Sequence, residues 1–145
     1  MARTLLLEKL INRLGCLVRT LNTGERYMFG HQYVSSSQVA CIFQIAHNPQ
    51  GLTVKELAER MGVTSGAITQ FVNDLVIKRL VVRRQDTTDR RVFHMTLTLH
   101  AEKAMQEFKK QYFLHISPLF DTLTNDDMRI LLSLLEKIPL KGNNH

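Results

Sequence analysis

At 145 residues, 44% of them hydrophobic and 22% charged, the chain has the size and composition of about one ordinary folded domain, which excludes wholesale disorder. A net charge of +6 favours polyanionic partners without requiring one, and two cysteines, Cys16 and Cys41, cannot build a disulfide scaffold. Glu8 and Lys9 break the Leu5-Leu6-Leu7 run before a signal peptide's apolar stretch would be complete. No apolar run reaches the ~18 residues of a membrane span, so the expectation is a soluble cytoplasmic protein.

From Leu7, apolar residues recur at Leu10, Ile11, Leu14, Leu17, Val18 and Leu21, the three- and four-residue steps of an amphipathic helix. A helix this one-sided needs a partner surface. Asn22-Thr23-Gly24 would end it, and a further helical turn over 26–29 is allowed. Residues 30–37 read as a loop with serine caps. Val39, Ile42, Phe43, Ile45 and Ala46 then mark a largely buried second helix that closes at His47-Asn48-Pro49-Gln50-Gly51.

Thr53-Val54-Lys55-Glu56 has the form of a capping box, opening a short helix with Leu57, Ala58 and Met61 inward and Gly62 as a left-handed stop. Thr64 caps a longer helix to about Lys78. Its inward face is Ala67 or Ile68, Phe71, Val72, Leu75 and Val76. Its outward face is Ser65, Gly66, Thr69, Gln70, Asn73 and Asp74, small, polar and nearly uncharged, which suits close approach to base edges better than a salt-bridged solvent face does.

Residues 80–84 and 92–97 read as two strands joined by the polar tip Gln85-Asp86-Thr87-Thr88-Asp89-Arg90-Arg91, a hairpin or wing. Thr98 caps a long helix to about Ser117, which Pro118 interrupts. Thr124-Asn125-Asp126-Asp127 opens a last helix, with acids where the helix dipole favours them, and Pro139 stops it. Residues 142–145 read as a frayed tail.

A helix–turn–helix with a wing can lay its second helix in a major groove and reach the neighbouring minor groove with the charged tip. The charge distribution agrees: over 60–94, seven basic residues face three acidic ones, so +4 of the chain's +6 lies here. The run Leu-Thr-Val-Lys-Glu-Leu-Ala-Glu-Arg-Met-Gly-Val-Thr-Ser-Gly-Ala-Ile-Thr-Gln from Leu52, followed by Arg83-Arg84, Asp89-Arg90-Arg91 and Leu97-Thr98, resembles the MarR family of transcription regulators. The detailed match spans about 47 of the 145 residues, and the helical order on either side extends it over nearly the whole chain.

The resemblance implies a mainly α fold with a small β wing: a winged helix–turn–helix over 35–97, and a dimerisation region from the terminal helices over 4–29 and 98–138. It implies a homodimer on a pseudopalindromic double-stranded DNA operator, and often a small effector at the junction of the dimer region and the DNA-binding unit. Matched residue by residue, the DNA-binding positions are Thr64, Ser65, Gly66, Thr69, Gln70 and Asn73 on the helix, and Asp89, Arg90 and Arg91 on the wing. Asp89 would orient Arg91 into the minor groove, while Arg90 would contact phosphate or share that task.

Three positions depart from the family pattern. Gln70 stands where Arg is common and suits an adenine edge. Arg79 stands where Gly usually ends the recognition helix; a left-handed residue other than glycine costs about 1 kcal/mol there, which favours a different helix end. Ala101 stands for the usual Gly after Leu-Thr and is compatible with simply continuing the helix.

Cys16, beside the apolar stripe of the first helix, is a redox candidate weighed against a small buried filler, and Cys41 reads as core. The six histidines show no ligand-like spacing, so no metal site is expected. No phosphate loop or nucleophile–base motif points to an enzyme or a cofactor. The expectation is a sequence-specific, ligand-responsive transcription repressor. The alternatives are a redox-sensing regulator using Cys16, and a winged-helix interaction module without specific DNA binding.

Overall fold

The computed structural model describes residues 2–21 and 26–139. The elements run α1 (Ala2–Leu21), β1 (Tyr27–Phe29), β2 (Gln32–Val34), α2 (Ser36–Ala46), α3 (Val54–Met61), α4 (Ser65–Ile77), β3 (Val81–Gln85), β4 (Phe93–Leu97), α5 (Leu99–Ile116), a 3-10 turn (Ser117–Phe120) and α6 (Asn125–Glu136). The fold is mainly α, with a winged helix–turn–helix at its centre. No helix among the described residues is long and apolar enough to cross a membrane.

Caps set the helix starts. Ser35 and Gln38 form a capping box for α2, Thr53 and Glu56 one for α3, and Thr124 and Asp127 one for α6, each satisfying amides that the first helical turn leaves without partners. Gly62 ends α3 at φ +66°; a Cβ there would meet nothing within 4 Å, so backbone conformation rather than space calls for glycine. One core holds the middle of the chain together. Ile42 and Ile45 of α2, Leu57 of α3, Ile68, Val72 and Leu75 of α4, Leu80 and Met95 of the wing, and Phe29 are almost fully buried. Phe108 of α5 closes it, with Tyr27, Phe29, Phe43 and Tyr112 around its ring at centroid distances of 5.4–6.0 Å.

The wing is locked to this core. Leu52 exchanges backbone hydrogen bonds with Met95 (N to O, 3.1 and 2.7 Å), so the chain before α3 adds to the edge of β4. Gly51 makes that approach feasible: it sits at φ +89°, and a Cβ would lie 2.9 Å from the His94 Cβ and 3.0 Å from the Met95 carbonyl oxygen.

Four sequence expectations change. Residues 27–29 are strand β1, not a resumed helix; the expected stop at 22–24 and the tail at 142–145 lie outside the described residues. Residues 30–37 are not simply a loop: Gly30 (φ +63°) turns β1 into the antiparallel β2, which sets Phe29 and Val34 into the core, and only Ser35 is left as the cap. Arg79 does adopt the left-handed conformation, at φ +59°. The Arg79 amide donates to the Val76 carbonyl (3.0 Å) and the Leu80 amide to Leu75 (2.9 Å), the paired bonds of a Schellman stop, with Leu75 and Leu80 both buried. The Thr98 hydroxyl donates to the Arg79 carbonyl (2.8 Å) while accepting the Ala101 amide (3.1 Å), so one side chain joins the end of α4 to the start of α5. Asp74, finally, leaves the outward face of α4. It pairs with Lys78 (2.8 Å) and accepts a hydrogen bond from Gln38 of α2.

Both terminal helices are left uncovered. No residue of α1 or α6 is buried. Leu6, Leu10 and Ile11 on α1, and Ile130, Leu132 and Leu134 on α6, are each more than half exposed. Such stripes cost free energy in water unless another surface covers them.

Candidate nucleic-acid interface

The outward face of α4 is built by its cap and its small residues. The Thr64 hydroxyl accepts the Ala67 amide (3.2 Å), and the Thr69 hydroxyl donates to the Ser65 carbonyl (2.9 Å), which turns the Thr69 methyl away from that bond. Gly66 leaves the backbone bare between them: the nearest atom to a Cβ there would be the Thr64 oxygen at 4.0 Å. Glycine inside a helix costs about 1 kcal/mol against alanine. No packing requirement offsets that cost, whereas close approach of a partner surface would use it. Ser65, Thr69, Gln70 and Asn73 are all solvent-facing, so the sequence-identified helix positions share one strip.

The wing hairpin is antiparallel, with Val81 opposite Leu97 and Gln85 opposite Phe93. Its tip is held by two aspartates. One oxygen of Asp86 accepts the Thr88 amide (3.0 Å), the Thr88 hydroxyl (2.7 Å) and the Asp89 amide (2.9 Å), while the other faces His94 Nε2 at 2.9 Å. These bonds, led by the Asp89 amide, hold the Asp86 carboxyl far below the usual carboxylate range. Asp89 accepts the Arg91 amide (3.0 Å) and its guanidinium (3.2 and 3.3 Å), and the Arg91 side-chain bond leads in lowering its carboxyl pKa. The Arg91 side chain nevertheless stays 91% exposed. Gln85 braces the tip from below by donating to the Arg90 carbonyl (2.8 Å), with the Arg90 side chain exposed.

Four contributors escape a reading of the sequence alone. Asp86 and His94 carry the tip, and Asp86-Thr87-Thr88 has the form of an Asx turn that could have signalled it. Arg83, on β3, donates to the Asn73 oxygen and so links the wing to α4; nothing local in sequence marks that pairing. Asp74 belongs to the support behind the strip. Its bond to Lys78, then that to Gln38, lowers its pKa, and Lys78 also donates to the Tyr33 carbonyl (2.6 Å), tying the end of α4 to the first hairpin.

Cys16 is exposed on α1, in an apolar groove of about 630 Å³ between α1 and α6 whose lining includes Leu14, Leu17, Leu131 and Leu135. Cys41 is core, and burial pushes its thiol up to about 12. Among the described residues no cluster of three His, Cys, Asp or Glu side chains could hold a metal.

Comparison with known proteins agrees with this geometry. The MarR family profile matches residues 34–92, the helix–turn–helix and most of the wing. An uncharacterised HTH-type transcriptional regulator of Bacillus cereus is 29% identical over 106 residues, 72% of this chain and 69% of that one. In fold, the chain is similar to a MarR transcriptional regulator from Methanosarcina mazei Go1 (TM-score 0.78, 21% identity, 89% of this chain and 92% of that one). It is also similar to a mutant MarR from E. coli complexed with operator DNA (TM-score 0.73, 24% identity, 94% and 96%). The matched proteins are regulators rather than enzymes. In sequence over its winged unit, and in fold over most of its length, the chain is similar to transcription regulators of the MarR family.

Proposed function

We propose that the protein is a homodimeric, sequence-specific repressor that reads a pseudopalindromic operator, with α4 in the major groove and the wing tip in the adjacent minor groove. The observation that carries this reading is the pairing of an uncharged, bare-backboned strip on α4 with an exposed arginine held by Asp89 on the wing. Thr64, Ser65, Gly66, Thr69, Gln70 and Asn73 form the groove face. Arg91 enters the minor groove and Arg90 meets phosphate. The exposed apolar stripes of α1 and α6 supply the dimer interface, and a second copy covers both.

Two winged units fixed by one dimer span successive major grooves on one face of the duplex, which masks a promoter sterically. A cleft of about 370 Å³, lined by Val18 of α1, Tyr27, Ser36 and Met61, lies where dimer arm meets winged unit and is the natural seat for a small effector. Such a compound releases DNA only if it binds one spacing of the two units better than the other. Oxidation of Cys16 is a weaker route, because among the described residues Arg13 is the only cation lining its groove.

Selection of bound duplexes from a random library tests the reading. The expected result is two inverted half-sites whose centres lie about one helical turn apart. Recovery of no enriched sequence overturns it and favours an interaction module without specific DNA binding.

A further inference from the structure

Arg83 and Asn73 meet where the wing crosses α4. Nη2 of Arg83 donates to Oδ1 of Asn73, in an exposed setting. A guanidinium has only donors, so the amide of Asn73 has one admissible orientation, with oxygen toward the wing and NH2 away from it. Among the described residues no carboxylate pairs with Arg83, so nothing competes with Asn73 for it. Asp74, the neighbouring acid on α4, is already engaged by Lys78 and Gln38.

The orientation matters for base reading. A free asparagine reads adenine bidentately, its oxygen accepting from N6 and its nitrogen donating to N7. Arg83 takes one of the oxygen's two lone pairs and fixes that oxygen on the wing side, so the amide cannot turn to set oxygen on N6 and nitrogen on N7, and the NH2 donor is the group left to face the groove. At the exocyclic position guanine and thymine present a carbonyl acceptor (O6, O4), whereas adenine and cytosine present an amino donor; the N7 acceptor is common to both purines, so it is at the exocyclic position that a donor tells them apart.

We propose that Arg83 is a positioning residue that converts Asn73 into a donor, so that Asn73 selects a keto base, guanine or thymine, over an amino base in each half-site. The inference rests on the proposed placement of α4 in the major groove. Arg83 acts through Asn73 and not by touching the base.

Selection from a random duplex library with the full-length wild type, Asn73→Ala, Arg83→Ala and Arg83→Lys tests it. The position whose preference disappears in Asn73→Ala is the base that Asn73 reads, and it should be guanine or thymine in the wild-type motif. Arg83→Ala frees the amide oxygen, so that position should move to adenine with the rest of the motif kept, and the keto-to-amino ratio there should fall at least about fivefold, the lower end of one base contact. Arg83→Lys keeps a donor beside the amide and should keep the keto preference, which a merely structural loss would not do. Three outcomes overturn the inference while leaving the DNA-binding reading intact: a wild-type adenine or cytosine at that position, no position lost in Asn73→Ala, or a uniform loss of affinity in Arg83→Ala without a change of base. A wild type that enriches no motif overturns both.

Discussion

At the scale of single residues, Asp86 decides whether the wing has a defined tip. One of its oxygens gathers three donors and the other meets His94, while Asp89 is left to steer Arg91. Because its folded pKa lies below the ordinary value of 3.8, its contribution is fully present above about pH 4 and fades only as pH falls through the lower, folded value. The amide resonances of Thr88 and Asp89 should therefore hold their positions from pH 8 down past 4; a transition centred on the ordinary carboxylate pKa would contradict this. Asp86→Ala should loosen the tip, speeding exchange of those two amides while global stability barely moves. Unchanged exchange would show that the turn stands without it. Arg79 makes the opposite case, a residue that opposes its own backbone. Arg79→Gly should raise the free energy of unfolding in urea by up to about 1 kcal/mol; a loss of stability would mean that the arginine side chain contributes more than its φ angle costs.

At the scale of elements, much is legible in the sequence because local chemistry and tertiary role coincide. The Thr53–Glu56 capping box, the Gly62 stop, the period of α4 and the Asp-Arg-Arg wing all announce themselves within a few residues. Strands β1 and β2 do not. Each is three residues long, and Phe29 and Val34 are held inward by a core that includes Phe108, far away in sequence. The signal that is present is Gly30-His31, a glycine-first pair between aromatic-rich triplets, which is a two-residue hairpin preference. Asp74 escapes for the same reason: helical period puts it outside, and its partner Gln38 lies on another helix. The Asn73–Arg83 bond is likewise invisible, since it joins two elements that only the wing's closure brings together. Gly51 is the point where the approach to α3 and the wing touch. Gly51→Ala should cost about 2 kcal/mol, from strain at φ +89° and from the close approach of β4, measurable as a lowered urea midpoint. A midpoint equal to wild type would mean that the Leu52–Met95 pairing does not bind the wing to the core.

At the scale of the whole molecule, the chain divides its apolar surface between two uses. The winged unit buries most of its own; α1 and α6 leave theirs exposed, and it is these stripes that the proposed dimer would cover. Sedimentation should give a species of about 33 kDa, twice the 16.7 kDa chain. Leu131→Glu combined with Leu135→Glu should shift it toward monomer and weaken operator binding at least tenfold, because each half-site then binds alone. A doubly substituted protein that remains dimeric would place the interface elsewhere.

In the proposed function the winged unit reads DNA sequence and the wing arginine takes part. Equilibrium titration of labelled duplex, selected against shuffled, at several salt concentrations tests it most directly. Wild type should prefer the selected duplex by about a thousandfold or more, with affinity falling steeply with salt. Arg91→Ala should lose at least about tenfold on the selected duplex and show a shallower salt slope. Equal affinity for selected and shuffled duplexes would contradict sequence reading altogether, and an Arg91→Ala protein indistinguishable from wild type would remove the wing from the interface.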